Sequence, residues 1–271
     1  MRMYRSGNPT LQVFEKPRWD DLDPASTATR EISRAMTLRG TVIASAVLVA
    51  ICAISAILSW QAITVGLFSM HLSPMLVLLG GMFGGLVVGL VISFVPKTAP
   101  YLSPVYAVLE GGLIAAFSLI IAERWLGGAK DPAALGTIFQ AVVLTFTIAA
   151  GMLIAYGTGL VRGGKVFTAV AMTGGLGLML YVAVLWIGNG LFGANIPNLY
   201  ASTSPIGIGF TAISLVLASM FLVLDFRIID EGVRRGAPKY MEWYGAFSLL
   251  VTLVWIYIEV LRLLAKMRSN D

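Results

Sequence analysis

The longest uncharged stretch of the chain, residues 166–224, constrains its fold most, because it contains no Asp, Glu, Lys or Arg. A transmembrane helix needs about 20 apolar residues, so this stretch is long enough for two crossings. The segment GNGLFGANIPNLYASTSP, residues 188–205, contains the glycine, asparagine and proline residues that are typical of a turn between them. With 58% hydrophobic and 12% charged residues, the composition indicates a multi-span membrane protein, not a soluble domain.

Seven segments are long and apolar enough to cross a bilayer. We predict spans at residues 40–60, 74–95, 102–122, 135–158, 166–188, 205–226 and 243–264. The chain lacks the alternation of polar and apolar residues that is typical of membrane barrels, so helices must satisfy the backbone hydrogen bonds. We therefore predict an all-α fold, a polytopic membrane helix bundle of about seven transmembrane helices. Residues 40–271 form the bundle, and residues 1–39 form an N-terminal arm.

The positions of Lys and Arg predict the orientation, because these residues accumulate on the cytoplasmic side. With the N-terminus inside, fourteen of the nineteen fall in cytoplasmic segments, and only Arg124 and Lys130 lie in external loops. The polar arm does not resemble a cleavable signal peptide, so we expect it to remain on the mature protein. The last segment has two alternative paths: it crosses fully, or it enters and returns. The path decides the side on which Arg262, Lys266 and Arg268 lie.

Several functional classes are disfavoured by what the sequence lacks. The net charge of +5 comes from basic residues without a continuous stripe, so nucleic acid is not a predicted partner. There is no phosphate-binding glycine loop, no HExxH and no GxSxG motif. The single cysteine, Cys52, excludes a disulfide pair or a thiolate cluster within the chain. We therefore predict that the protein is not an enzyme and has no resident cofactor.

A run of glycines marks one helix face in the second segment. GGMFGGLVVG, residues 80–89, places Gly81, Gly85 and Gly89 on the same side of a helix. Small residues four apart let helix backbones approach closely in membranes. We interpret this face as helix packing within the chain, and a dimer contact is the alternative.

Three acids lie at membrane depth: Glu110, Asp225 and Glu259. A charge there costs about 2.5 to 3.5 kcal/mol on insertion scales, so such an acid faces the bundle, has a partner or is protonated. Asp225 has only apolar neighbours three and four residues away. Glu259 has Arg262 one turn later, and the alternative is that the two simply pair. No Lys or Arg lies at comparable depth. If ions pass through the bundle, these acids therefore favour cations over anions.

The second half of the chain resembles the Bax-inhibitor family of membrane proteins, also called the transmembrane BAX-inhibitor-motif family. The resemblance rests on QAVVLTFTIAAG in the fourth segment, LVLDFRII in the sixth and WIYIEVLRLL in the seventh. The arm sequence RSGNPTLQVFEKP resembles a bacterial branch with a longer N-terminal extension. The resemblance implies a seven-helix bundle with the last helix central, and a pH-sensitive calcium leak that is gated by two carboxylates.

The resemblance places the gating pair on Asp225 and Glu259, where the family more usually has Asp at the second position. A family arginine near the end of the second span has no counterpart in VISFVPKTAP, where Lys97 is a loose substitute. Two close carboxylates in a low-dielectric site titrate as a unit, and when ionised they suit Ca²⁺, which prefers oxygen ligands. Both acids are thus predicted as pH sensors and as Ca²⁺ ligands, with Glu110 as a further part of the cation pathway.

The spacing of the two acids is a difficulty for this pairing. In a simple antiparallel hairpin, Asp225 lies near the cytoplasmic end, whereas Glu259 lies sixteen residues past Trp243, which is about 24 Å of helix. The acids meet only if the sixth helix continues well past Asp225, if the seventh is broken or tilted, or if the seventh begins outside the membrane.

We therefore predict a pH-sensitive cation leak channel, with Ca²⁺ as the ion, in a bacterial inner membrane with the N-terminus cytoplasmic. Its predicted partners are the lipid bilayer and other membrane proteins. The alternative function is a non-transporting regulator of another membrane protein, such as a quality-control protease, which would use the arm and the RRGAPKYMEW loop. An intramembrane aspartyl protease is disfavoured because no GxGD context is present, and a secondary transporter because the halves show no inverted repeat.

Overall fold

The computed structural model of the protein describes residues 35–66, 72–128 and 130–269. Within these ranges the chain forms seven α-helices: α1 (Leu38–Thr64), α2 (Pro74–Phe94), α3 (Ala99–Trp125), α4 (Pro132–Gly157), α5 (Lys165–Leu191), α6 (Pro205–Arg234) and α7 (Met241–Arg268). Every one is long and apolar enough to cross a membrane, with the short 3₁₀ helix Pro96–Thr98 leading into α3. The predicted bundle of seven spans is confirmed. Most of the predicted arm, residues 1–39, lies outside the described residues.

Local sequence signals explain where several helices begin. Proline occupies the first position of α2, α4 and α6, where its missing N–H group costs no hydrogen bond. The side chain of Asp131 accepts a hydrogen bond from the Ala133 N–H at 2.8 Å at the start of α4. Thr37 caps α1 in the same way, accepting from the Gly40 N–H at 2.9 Å.

The sixth helix differs most from its predicted bounds. The sixth span was predicted to end at residue 226, but α6 continues to Arg234. Its polar extension is supported by ion pairs one turn apart, such as Arg234 with Asp230 at 2.9 Å. Because α7 begins at Met241, the connection from α6 is a short turn, residues 235–240.

The course of the seventh helix favours one of the two alternative paths predicted for the last segment. α7 runs without interruption from Met241 to Arg268, a length of 28 residues. At 1.5 Å per residue this is about 42 Å, more than the hydrocarbon thickness of a bilayer. The last segment is therefore long enough to cross fully, and within the described residues it does not break or turn back as a segment that enters and returns would.

The core of the bundle is built around α7 and α3, the helices with the most buried residues. α7 packs against α1, α3, α4 and α6, which confirms that the last helix is central. α2 packs on α3, and α5 packs on α6 at the edge of the bundle. One apolar cluster surrounds Leu222, Ile256 and Leu261, and a second surrounds Leu48 and Phe247.

Polar contacts fix both ends of α7. At its start, the buried Glu242 carboxylate accepts hydrogen bonds from the Thr37 N–H at 3.0 Å and the Thr37 hydroxyl at 2.8 Å. At its end, the Arg268 guanidinium donates to the Thr137 hydroxyl at 2.5 Å, at the start of α4. The starts of α1 and α7 therefore lie at one end of the bundle, and the start of α4 lies at the other.

Candidate functional site

Asp225 lies in α6 with its carboxylate turned to α7, and only 6% of the residue is exposed. The Thr252 hydroxyl donates to its Oδ2 at 2.5 Å, and the Ser248 hydroxyl donates to its Oδ1. Ser248 and Thr252 are four residues apart and thus share one face of α7. Within the described residues Asp225 has no ion-pair partner, so neutral hydroxyls alone satisfy a buried acid between two helices.

The prediction that no neighbouring cation reaches Asp225 is confirmed. Arg227, two residues later, points to another face of α6. Its guanidinium pairs with Glu231 at 2.8 Å and donates to the Gly163 carbonyl at 2.5 Å. Ser248 and Thr252 were not predicted as site residues, although two hydroxyl residues four apart in an apolar helix can be recognised in the sequence.

Glu259 lies in α7 and is 2% exposed, but it has a cation partner. Its Oε2 is 2.9 Å from the Arg262 guanidinium, one turn later, and its Oε1 accepts from the Trp255 indole N–H at 3.3 Å. The alternative in which Glu259 pairs with Arg262 is therefore the observed contact. In this structure the Arg262 guanidinium compensates the buried charge of Glu259.

Aromatic rings surround the Glu259–Arg262 pair. The Arg262 guanidinium lies 4.4 Å from the centre of the Tyr200 ring and 5.5 Å from that of Phe117. This stacking suits arginine, whose planar cation is weakly hydrated. Burial raises the pKa of Tyr200, in the segment before α6, and the nearby Glu259 carboxylate raises it further. The pair therefore connects α7 to α3 and to the segment that leads into α6.

The structure does not bring Asp225 and Glu259 into contact. Their hydrogen-bond partners are different residues within the described ranges. Thr252, which binds Asp225, precedes Glu259 by seven residues, or about 10 Å along α7. The extension of α6 past Asp225 and the start of α7 at Met241 reduce the separation expected from the hairpin, but two helical turns remain.

Glu110 lies in α3 and is 7% exposed. Tyr106, one turn earlier, interacts with its carboxyl group. A side chain at Gly85 of α2 would meet Glu110 Oε1 at 2.9 Å, so this glycine leaves room for the carboxyl group. Glu110 therefore lies at the α2–α3 contact, away from the α6–α7 contact that holds Asp225.

The glycine face of α2 is turned towards α3. A Cβ at Gly81 would meet Leu113 at 2.8 Å, and one at Gly89 would meet Tyr106 at 3.5 Å. Together with Gly85, these residues bring α2 close to α3 within the chain. The glycine pattern was interpreted as helix packing within the chain, and this is the contact that the structure shows.

Lys266 is a buried cation that the sequence analysis placed after the last span. It is fully buried in the last turn of α7. Its ammonium donates to the carbonyls of Leu199 and Gly207, each at 2.9 Å, and to the Thr211 hydroxyl at 2.8 Å. Lys266 thereby ties the segment before α6, and the first turns of α6, to α7. No pattern in the sequence distinguished it from a solvated terminal lysine.

The predicted Ca²⁺ ligands do not form a closed metal site. Within the described ranges no three His, Cys, Asp or Glu side chains cluster around a common point. Around Asp225 the oxygens are its own two and the hydroxyls of Ser248 and Thr252. Ca²⁺ takes six to eight oxygen ligands, so water would have to complete its coordination there.

A family model described as Bax inhibitor 1 like matches residues 11–269 of the chain. The match includes all seven helices and the acids Glu110, Asp225 and Glu259. Searches of curated proteins and of solved structures found no match.

Proposed function

Because the chain belongs to the Bax inhibitor 1 like family, we propose that this multi-pass membrane protein is a pH-sensitive cation leak channel. Ca²⁺ is the proposed ion, and Asp225 and Glu259 are the proposed sensing and gating acids. The single observation that supports the proposal best is the Asp225 carboxylate, which is buried between α6 and α7 with two hydroxyl donors and no ion pair in the described structure.

The hydroxyl contacts suggest how pH acts on the gate. An ionised carboxylate accepts hydrogen bonds from both Ser248 and Thr252, and so joins α6 to α7. Protonation removes the charge that strengthens these bonds and turns one oxygen into a donor. We take the joined helices as the non-conducting state. Protonation of Asp225 then favours separation of α6 from α7, and the cation flux rises as the pH falls.

Glu259 acts at a second level of α7 in this proposal. Glu259 lies two helical turns from Thr252, the partner of Asp225. In the joined conformation the two acids are therefore too far apart to share a proton. The Arg262 ion pair keeps Glu259 away from a passing cation until the guanidinium moves. Asp225 is therefore the primary pH sensor, and Glu259 is a second acid on the same path. Glu110 is a further candidate for the path from the α2–α3 side.

The proposed location is a bacterial inner membrane with the N-terminal arm in the cytoplasm. The arginines and the lysine of the α6–α7 turn support this orientation by the positive-inside rule. The alternative, a non-transporting regulator of another membrane protein, depends on the arm and on this turn. The channel is favoured because it uses the acids Asp225 and Glu259, which are buried in the bundle, whereas the regulator does not need them.

The proposal is tested with liposomes that contain only the purified protein. We expect Ca²⁺ to enter them faster than protein-free liposomes, at a rate that changes between pH 8 and pH 5. A matched measurement with an impermeant anion controls for general leakage. Ca²⁺ entry equal to that of protein-free liposomes at every pH would reject the channel and favour the regulator.

A further inference from the structure

A lateral groove runs along the bundle between α1 and α4. Both helices pack on α7, but they have no comparable contact with each other in the described structure. The space between them is a cavity of about 550 Å³, lined by apolar residues that include Ala53 and Ala56 of α1, and Val142 of α4. At its floor, Tyr257 of α7 and Ser118 of α3 are joined by a 2.7 Å hydrogen bond, and the polar residues Gln61 and Thr145 also line the cavity.

The groove continues towards the end of the bundle where α1 and α7 begin. A second apolar cavity of about 270 Å³ shares Val49, Phe146, Leu250 and Leu253 with the first. A third cavity of about 760 Å³ follows it, and the two share Ser45, Leu153, Phe226 and Leu249. We call the three cavities together the lateral groove. It extends along α1 from Leu38 to Gln61 and opens sideways, where the bilayer surrounds the protein.

One end of the lateral groove is cationic. Its lining contains three arginines and two acids: Arg162, Arg227, Arg234, Asp230 and Glu231. Both acids are paired with arginines, at 2.9 Å for Arg234 with Asp230 and 2.8 Å for Arg227 with Glu231.

Arg162 is the arginine of this end whose charge is left over. It donates its Nε–H to the Gly159 carbonyl at 3.1 Å and has no ion pair in the described part of the chain. The mouth of the groove therefore has one uncompensated positive charge beside an apolar channel.

We propose that the lateral groove binds one anionic glycerophospholipid, with an acyl chain along the apolar cavities and the phosphate beside Arg162. The cavity of about 550 Å³ has the size of pockets that hold small organic ligands, roughly 300–1,000 Å³. A groove that opens to the bilayer between two helices admits an acyl chain without crossing water. Basic pockets between transmembrane helices are suited to acidic head groups.

The arrangement distinguishes this lipid from the ordinary annulus. Lipid around a smooth bundle contacts convex helix faces. In the lateral groove, α1 and α4 form walls and α7 forms a floor, and together they enclose the acyl chain of the lipid. The head group is fixed by charge at one end only, so the lipid belongs to the leaflet on the side of Arg162. An uncharged or zwitterionic lipid would keep the acyl contacts but would lack a net charge opposite the guanidinium.

The experiment measures retained lipid by native mass spectrometry on the delipidated full chain, titrated with phosphatidylglycerol or phosphatidylcholine in detergent micelles. We expect one phosphatidylglycerol to bind to the unaltered protein in preference to phosphatidylcholine. Ala53→Trp fills the groove from α1 and should weaken binding at least tenfold. Ala169→Trp, at an exposed alanine of α5 outside the groove, is the matched control and should bind normally. Val142→Trp fills the groove from the α4 wall and should repeat the effect.

The charge contact is tested separately. Arg162→Gln should weaken phosphatidylglycerol binding about fivefold, the contribution of one cation near an anionic surface, and leave phosphatidylcholine binding unchanged. Lys165→Gln, an exposed lysine at the start of α5, is its control. Equal retention of lipid by Ala53→Trp and Ala169→Trp, both with an unchanged unfolding temperature, overturns the groove site. Equal binding of the two lipids, or no effect of Arg162→Gln, overturns the anionic head group.

Discussion

An ionised Asp225 accepts hydrogen bonds from Ser248 and Thr252 at once, whereas a protonated one must use an oxygen as a donor. The residue is buried, so water cannot easily replace a lost partner. Its protonation state therefore affects how firmly α6 and α7 are joined. Glu259 differs, because a guanidinium lies 2.9 Å away and compensates its charge.

Removal of the Thr252 hydroxyl should weaken this link. Thr252→Val keeps the shape of the side chain but leaves one buried carboxylate oxygen without its donor, which costs about 1–3 kcal/mol. The measurement is the thermal unfolding temperature in detergent. The matched control is Thr145→Val in α4, a buried threonine whose hydroxyl bonds only to the Ala141 carbonyl of its own helix. Equal losses in the two variants would show that Asp225 does not depend on Thr252.

The Glu259–Arg262 pair should be strongly coupled in stability. Removing one partner of a buried ion pair leaves the other charge without compensation, so Glu259→Gln and Arg262→Gln should each cost roughly 3–5 kcal/mol. The double variant should cost clearly less than the sum of the two. A double-mutant cycle of unfolding free energies measures the difference.

The exposed pair of Asp230 and Arg234 provides the control for this cycle. Its side chains are 36% and 76% exposed, so its coupling should not exceed about 1 kcal/mol. Additive losses for Glu259 and Arg262 would contradict the buried ion pair.

At the scale of the helices, the sequence predicted the number and approximate centres of the spans correctly. Uncharged stretches of about 20 residues suffice for that prediction in a membrane. The end of α6 was missed because its last turns are polar and are held by ion pairs, which hydropathy does not detect. The two hydroxyl residues of α7 can be recognised in the sequence, but their contact with Asp225 cannot, because it depends on how α6 and α7 align.

Close helix approach depends on individual glycines. A Cβ at Gly111 of α3 would overlap the Cys52 carbonyl and the Ser55 side chain of α1. Gly111→Ala should therefore push α1 away from α3 and cost about 1–3 kcal/mol of unfolding free energy. Gly151→Ala in α4, where nothing lies within 4 Å of the added atom, is the matched control and should cause no loss. An equally stable Gly111→Ala variant would refute the close contact.

Across the whole molecule, all seven helices are long and apolar enough to cross the membrane, and seven crossings would put the start of α1 and the end of α7 on opposite sides. The chain has one cysteine, Cys52, which is buried. Lys239→Cys in the α6–α7 turn should react with an impermeant thiol reagent only from the cytoplasm. Asn195→Cys, before α6, should react only from outside. The reverse pattern of labelling in intact cells would overturn the proposed orientation.

The whole-molecule view also explains why the pairing of the two acids could not be judged from the sequence. Both acids were identified at membrane depth, and both are buried. Their relative height depends on the length of α6, on the short turn and on the unbroken course of α7. These features place Glu259 beside Arg262 and two turns from Thr252, so the structure, and not the sequence, shows that the two acids have different partners.

Ca²⁺ flux into liposomes, measured across a pH series for the unaltered protein and for Asp225→Asn, shows whether protonation of Asp225 opens a cation path. Asparagine is neutral at every pH and resembles the protonated acid. We expect the unaltered protein to conduct more as the pH falls, and Asp225→Asn to conduct at all pH values near its low-pH level. Asp230→Asn, the same change at a half-buried position of α6 that pairs with Arg234, should keep the pH response. If the flux through Asp225→Asn is as pH-dependent as that through the unaltered protein, protonation of Asp225 does not open the path.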